Sequence, residues 1–373
     1  MKKTLAAVAV LGAFAGSAAA AGVELYGSVS TGLVYTHTKS VTSADEVKIP
    51  SSDNFAMESA WAGDSIFGIT GEEELGNGWK VGFTLENEFE SDTGKMAGGE
   101  DNKLFDSMAY LWVGNDTVKL AAGNLGGILS SAGGDFDLVG GFDPLEAAYG
   151  NGGMGLFASR DAAVDNAVDV EVTPIDGLKV SFQMSIEDDS GNAGWSQRDH
   201  YYGLGAAYEN GPFAASVVAE RVKFANDGEA TPKTASIYTV GASWDFDVVK
   251  PTFLYQHSDH LFLGGFCDGL FEADIGDDVD DVAIKTDSIL IGATAPLGNG
   301  TLGVSAQYAK IKSVDAEDAQ DGKAYVFGIA YTYELSKRTS LYAAGVYSKG
   351  KDALEDATAV NNYQIGLGLN HTF

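Results

Sequence analysis

YQIGLGLNHTF, residues 363–373, ends the chain. Tyr363, Ile365, Leu367 and Leu369 alternate with Gln364, Gly366, Gly368 and Asn370, and the last residue is the aromatic Phe373. Period-two alternation gives a strand one apolar and one polar face. A strand of about ten residues also crosses a bilayer at the tilt of a barrel. A half-buried strand of a soluble sandwich carries the same pattern, so the decision rests on what precedes it.

Residues 1–21 read as a secretory signal peptide. Lys2 and Lys3 form a basic n-region, Leu5 to Phe14 an apolar core, and Ala18 to Ala21 a run of small residues suited to cleavage. Losing the two lysines takes the formal charge from −30 to −32 and leaves residues 22–373 as one expected domain. No later segment holds enough consecutive apolar residues for a transmembrane helix. A mean hydropathy near zero with 45% hydrophobic residues suits a soluble protein. It equally suits a transmembrane barrel, where apolar and polar residues interleave. One cysteine, Cys267, excludes an intrachain disulfide framework. The acidic balance excludes a nucleic-acid partner, because no basic patch is present to displace phosphate counterions. With 48 Gly and only 7 Pro, the composition suits many strands joined by turns.

Working back from the tail, the same alternation recurs. In WKVGFTLENEFE, residues 79–90, Trp79, Val81, Phe83, Leu85 and Phe89 share one face, with Lys80, Thr84, Glu86, Glu88 and Glu90 on the other. The LGNG stretch at 75–78 joins it to SIFGITGEEEL as a hairpin. Short turns are expected at 114–116, 174–177, 209–212, 246–249, 296–300 and 335–339. Acidic or Gly-rich connections alternate with them, near 38–60, 93–103, 125–162, 188–199, 225–234, 260–284, 313–323 and 350–361. Seven short turns and eight long loops make sixteen strands. Strict alternation of short and long is the rule for a transmembrane barrel, with short periplasmic turns and long outward loops. An even count allows closure, which leaves no backbone group unpaired in hydrocarbon. The expected fold is therefore all-β, a sixteen-stranded antiparallel transmembrane barrel. Aromatics near strand ends (Trp79, Tyr325, Tyr331, Tyr333, Tyr347, Tyr363, Phe373) suit interfacial girdles.

Three stretches resemble the trimeric general-diffusion porins of Gram-negative outer membranes. SIFGITGEEELGNGWKVGFTLENEFESDTG (65–94) resembles that family's second and third strands, and YTYELSKRTSLYAAGVYS (331–348) its penultimate hairpin. GLNHTF (368–373) resembles its closing strand with a terminal Phe, and LYGSVSTGLVY at the N-terminus extends the likeness from end to end. The resemblance implies a homotrimer in outer-membrane lipid and lipopolysaccharide, passing ions and small hydrophilic solutes. It also implies a third loop folded into the pore and a terminal aromatic, here Phe373, read by the outer-membrane assembly machinery.

The loop at about 125–162 occupies the constriction position and carries Asp135, Asp137, Asp143 and Glu146. Carboxylates at an eyelet focus their field on passing solutes, although a solvated acidic loop has the same composition. The family opposes such a loop with wall arginines. This chain departs from that pattern, with Ile66 in Ser65-Ile66-Phe67-Gly68 and no arginine in Leu120-Ala121-Ala122-Gly123-Asn124. Lys80, Lys119 and Lys179 are the candidate wall cations, with Arg160 and Arg198 in or beside loops. A wall poor in cations on so acidic a chain predicts a cation-preferring pore.

Other readings stay open. DIGDDVDD, residues 274–281, offers oxygen ligands for Ca²⁺ but lacks the glycine and closing Glu of an EF-hand loop. No other cofactor is expected. His257 and His260 form a loose pair with ligand-like spacing. A barrel-based hydrolase needs a nucleophile beside a base, and no Gly-x-Ser-x-Gly elbow appears. An adhesin built on a barrel base is the other unrelated reading. A substrate-specific channel would line one wall with aromatics, for which Tyr26, Tyr110 and Trp112 share the lumen-facing parity.

Overall fold

Strand follows strand in chain order, and each pairs with its neighbours. The first nine are β1 (Val23–Thr38), β2 in two pieces (Ser52–Ser59 and Ile66–Gly76), β3 (Trp79–Glu88), β4 (Met108–Gly114), β5 (Val118–Leu125), β6 (Val164–Ile175), β7 (Leu178–Ile186), β8 (His200–Asn210) and β9 (Phe213–Lys223). The rest are β10 (Ala235–Trp244), β11 (Lys250–Phe262), β12 (Ala283–Leu297), β13 (Gly300–Val314), β14 (Asp321–Ser336), β15 (Thr339–Asp352) and β16 (Asn362–Thr372). The computed structural model describes residues 22–42, 48–97, 103–129, 136–158, 164–186, 200–223, 234–262, 283–314 and 321–373.

All pairings are antiparallel, and β16 closes the sheet on β1 from Ser28↔Thr372 to Thr38↔Asn362. The terminal residue completes the seam. Phe373 N–H donates to the Gly27 carbonyl (3.0 Å), and Gly27 N–H donates back to the Phe373 carbonyl (3.3 Å). Gly27 has no side chain to displace, so the Phe373 ring lies over it on the outer face. The tail's alternation sorts as its pattern predicts. Ile365, Leu367 and Leu369 are exposed on the outside, while Gln364 turns inward and donates to Thr36 Oγ1 (3.3 Å).

The β2–β3 turn shows why LGNG is there. Asn77 and Gly78 both have positive φ (53° and 80°), the backbone of a two-residue type I′ turn that matches strand twist. Short turns also join β4 to β5, β6 to β7, β8 to β9, β10 to β11, β12 to β13 and β14 to β15, as the sequence predicts.

One expectation is corrected. The polar connection read as reaching residue 60 ends at residue 51, and Ser52–Ser59 pairs with the outer half of β1, from Thr38↔Ser52 to Thr31↔Ser59. The second piece of β2 pairs with the inner half, from Ser28↔Ile66 to Val23↔Gly71. Residues 60–65 leave the ladder between them, with Ala60 at φ 57° and Gly63 at φ 123°. Serines fill the gap. Ser30 N–H donates to Ser65 Oγ (3.0 Å), the Ser65 and Ser91 hydroxyls donate to the Ser30 carbonyl, and Ser91 N–H donates to Ser59 Oγ (2.8 Å). The bulge turns Trp61 into the lumen, where it is buried.

The connection between β5 and β6 folds into the lumen. Its residues Ile128, Leu129, Phe136, Leu138, Val139, Phe142, Leu145, Met154, Leu156 and Phe157 are all buried. The connection sweeps along the inner wall from β7 to β16 and doubles back toward β11. At several points the wall facing it is glycine. An added Cβ would collide with Ile128 at Gly203, Leu138 at Gly205, Phe142 at Gly241, Pro144 at Gly292 and Gly303, and Leu145 at Gly328. The sheet has traded its own side chains for those of the loop.

Inward-facing glutamines bind the loop backbone. Gln183 donates to the Gly126 carbonyl (2.9 Å), and Gln307 donates to the Gly152 carbonyl (2.8 Å) while accepting from Leu156 N–H (3.1 Å). Gln256 both accepts from Ala158 N–H and donates to its carbonyl, each at 2.7 Å. The far end is clamped by the bulge: Tyr149 N–H donates to the Trp61 carbonyl (2.6 Å), and the two rings meet edge to face at 5.3 Å.

Filling one of these glycine seats unseats the loop. Gly303→Val places carbon against the Pro144 carbonyl and costs about 1–3 kcal/mol of overpacking. We expect faster proteolysis within 126–163 and a lower thermal unfolding midpoint, with the far-ultraviolet β signature retained. Unchanged cleavage kinetics would count against the packing described.

Candidate functional site: the constricted lumen

The loop lies against the inner faces of β7 to β16, and the inner faces of β1 to β6 make a second surface toward the lumen. The alternation that puts Val81, Phe83 and Leu85 outside sends Lys80, Thr84, Glu86 and Glu88 inside. Neighbouring strands add Glu58 from β2, whose cross-strand partner is Gly32, and Asp106 just before β4. This wall is acidic. Glu86 is buried and accepts from Tyr26 Oη (2.8 Å) and Ser107 Oγ (2.5 Å). Asp106 accepts from Asn87 Nδ2 (3.2 Å) and from Glu88 N–H (3.0 Å). Among the described residues no Lys or Arg forms an ion pair with Glu58, Glu86, Glu88 or Asp106.

Ile66, where the family resemblance would place an arginine, does face inward, in one row with Ser28 and Glu88. Ala121 is the buried inward residue of the fifth-strand stretch, and Asn124 donates to the Phe105 and Asp106 carbonyls instead.

The loop carboxylates have separate fates. Asp143 is buried, its Oδ1 accepting from Leu145 N–H (3.0 Å) and its Oδ2 from Ala147 N–H (2.8 Å). Burial pushes its carboxyl up to about 6, and the two amide bonds oppose that shift only in part. Asp137 accepts from Val139 N–H (2.8 Å) and Gly140 N–H (2.7 Å) and borders a recess of about 490 Å³ with Lys179, Glu209 and Lys250. Glu146 is exposed, on backbone of positive φ (53°). Asp135, Arg160, Arg198 and the 274–281 loop lie outside the described residues.

Lys80, Lys119 and Lys179 all face inward near the short-turn end. Lys80 pairs with Glu72 (2.8 Å) and Glu74 (3.6 Å), and Lys179 with Glu171 (3.0 Å). Lys119 lies over the rings of Phe136 (5.0 Å), Trp112 (5.4 Å) and Tyr110 (5.9 Å). Sequence reasoning missed Lys250, at the start of β11, whose Nζ donates to the Gly141 carbonyl (3.4 Å). Its place directly after a short turn, as for Lys119 and Lys179, was the available signal. Glu86 and Glu88 were visible on one parity but not as lumen wall. Glu58 and Trp61 sat in a stretch taken for a loop.

The three candidate aromatics do not form a continuous slide. Tyr26 is tied to Glu86, and Tyr110 is buried against Phe136 (5.2 Å). His257 faces outward beside Asp287 (2.8 Å), and His260 lies beside Asp259 (3.3 Å).

A family model described as Gram-negative porin matches residues 6–353. An outer membrane porin protein of Bordetella pertussis is 31% identical over 403 aligned residues, with all of both chains covered. Outer membrane porin protein 32 of Delftia acidovorans is 30% identical, again with full coverage of both. Among solved structures, an anion-selective porin from Comamonas acidovorans superposes with a TM-score of 0.69 at 26% identity, covering 95% of this chain and all of the other. OmpT of Vibrio cholerae in its trimer form superposes at 0.61 and 16% identity, over 94% of this chain and 99% of its own, a likeness of fold. A closed sixteen-stranded barrel with a loop across its lumen agrees with both kinds of match, and the outer membrane is where such a barrel resides. The chain belongs to the Gram-negative porin family.

Proposed function

We propose that the chain forms a water-filled pore for passive diffusion of ions and small hydrophilic solutes, and that the pore prefers cations. The observation that carries the sign is the wall of Glu58, Glu86, Glu88 and Asp106, with no described cation paired to it. Carboxylates on a low-dielectric wall raise local cation concentration and repel anions. Asp137 and Glu146 add charge of the same sign from the loop side. The anion-selective relative does not decide the matter, because at 26% identity a shared fold leaves the wall charges free to differ.

A homotrimer is supported by the outer faces of β1, β2 and β16. Leu25, Leu33, Phe55, Met57, Ile365 and Leu367 make a broad apolar surface there, suited to a second copy or to lipid. Phe373, exposed beside the closing seam, is the residue we assign to recognition by the assembly machinery. Chemical cross-linking of the purified protein should yield a species of three chains, and a purely monomeric product overturns the trimer.

In a KCl gradient across a planar bilayer, the reversal potential should carry the cation-selective sign. Glu58→Gln, Glu86→Gln and Glu88→Gln combined should lower the cation-to-anion ratio by about tenfold at low salt, and less at high salt where charges are screened. An anion-selective sign in the native protein refutes the reading.

Loop seating should depend on pH through Asp143. Its folded-state value of about 6 lies above the ordinary 3.8. Above pH 6 the seated loop therefore holds a desolvated charge, and the cost is relieved as pH falls through 6 toward 3.8. Proteolysis of the loop should slow between about pH 7 and about pH 5 in the native protein, and Asp143→Asn should flatten that dependence. An equal slope in both proteins removes Asp143 as the cause.

A further inference from the structure

The β5–β6 connection does not fill all the space beneath it. Between its first turn and the wall lies the recess of about 490 Å³, at the short-turn end of β6 to β9 and the start of β11. Pockets that hold small ligands run from about 300 to about 1,000 Å³ and combine apolar lining with a few polar groups. This recess has both. Leu138 and Phe142 line it from the loop, and Ala207 and Ala214 line it from the wall. At Gly205 and Gly241 the same two loop side chains occupy the room a wall side chain would take. Beside the two alanines that room stays open.

Four charged side chains border the recess, Asp137, Lys179, Glu209 and Lys250, and their formal charges cancel. A lining of no net charge favours neither a simple cation nor a simple anion. Two of the four are engaged within the protein. Lys179 pairs with Glu171 (3.0 Å), and Asp137 accepts from Val139 N–H and Gly140 N–H. The other two differ. Among the described residues neither Glu209 nor Lys250 forms an ion pair. The Lys250 contact to the Gly141 carbonyl, at 3.4 Å, is longer than the usual range of about 2.7–3.2 Å. An ammonium carries three donors, so Lys250 can serve a further acceptor.

Glu209 and Lys250 do not pair with each other either. They stand on β8 and β11, three strand steps apart, roughly 14 Å along the sheet at about 4.8 Å per step. Their side chains close that gap only in part. The recess therefore presents a carboxylate on one flank and an ammonium on the other, with Leu138, Phe142, Ala207 and Ala214 supplying apolar surface. A solute with one charge satisfies one flank and does nothing for the other. A solute of matching form carries an ammonium, a carboxylate and an apolar body.

We propose that this recess binds short apolar zwitterions, the class of amino acids and dipeptides, with dipeptides favoured because their two charges stand farther apart. The solute's carboxylate meets Lys250, its ammonium meets Glu209, and its side chain lies against Leu138, Phe142 and the two alanines. The proposal deepens the pore reading by naming a solute class, and it rests on that reading for the solute's access to the lumen. Binding is therefore measured apart from current. A conducting pore that binds no zwitterion defeats this proposal alone, and a protein that binds without conducting defeats the pore reading alone.

The test is isothermal titration calorimetry of the full-length native assembly in detergent, with alanyl-leucine as probe. Its N-acetylated form lacks the ammonium, its C-terminal amide lacks the carboxylate, and glycylglycine lacks the apolar body. Each loss should weaken binding about tenfold, the scale of one charge-assisted hydrogen bond or one buried aliphatic side chain. Lys250→Met should weaken alanyl-leucine binding by about the same factor and erase its preference over the amide, while the preference over the acetylated form remains. Glu209→Gln should do the reverse. Ala214→Leu should abolish binding by occupying the recess from the wall. KCl conductance of each variant reports that its barrel has formed, and the two charge variants carry the test if Ala214→Leu does not assemble. Absence of binding by the native protein overturns the proposal, as does equal binding of all four compounds. Preferences unchanged in both charge variants overturn it as well.

Discussion

In hydrocarbon every backbone donor and acceptor must find its partner within the protein, and the rest of this structure depends on that constraint. It makes the strand count even, carries the ladder around to β1, and ties the terminal backbone of Phe373 to Gly27 at both N–H and carbonyl. The same constraint shows where the ladder is interrupted in β2. Where residues 60–65 leave β2, the freed groups of Ser30 are met by serine hydroxyls. Apolar residues there would leave backbone groups orphaned.

Closure creates a second problem, since a barrel of this size has an interior too wide for its own side chains to fill. The chain fills it from one segment. The loop between β5 and β6 supplies ten large buried apolar side chains, from Ile128 to Phe157, and the wall recedes to glycine where it passes. Barrel and loop therefore hold each other to shape. Trp61 clamps the loop at Tyr149, and three glutamines bind its backbone.

Local periodicity made the architecture legible. The tail, the 79–90 strand and the Asn77–Gly78 turn each carry their conformation within a few residues, and alternation of connection length gave the count. What stayed hidden is non-local. Nothing around Trp61 announces that it meets Tyr149, 88 positions away in the chain. Gln183, Gln256 and Gln307 read as ordinary polar positions until the loop lies against them. Asp143 looks like Glu146 in sequence, yet one is sealed by two amides and the other faces water. Composition reports that charge is present, whereas the backbone path decides which way it points.

Sorting by direction is what turns a strongly acidic chain into a membrane pore. Strand parity is binary, so each charged residue on a strand is committed either to the lumen or to the surroundings. Glu58, Glu86 and Glu88 take the inner parity. Lys285, Lys310, Lys323, Lys349 and Lys351 take the outer one, the parity of the exposed Ile291, Phe327, Ile329 and Leu341. A one-residue slip of register would exchange the two sets, placing carboxylates against lipid and lysines in the channel. The hydrophobic pattern that closes the barrel is thus the same pattern that gives each face its charge.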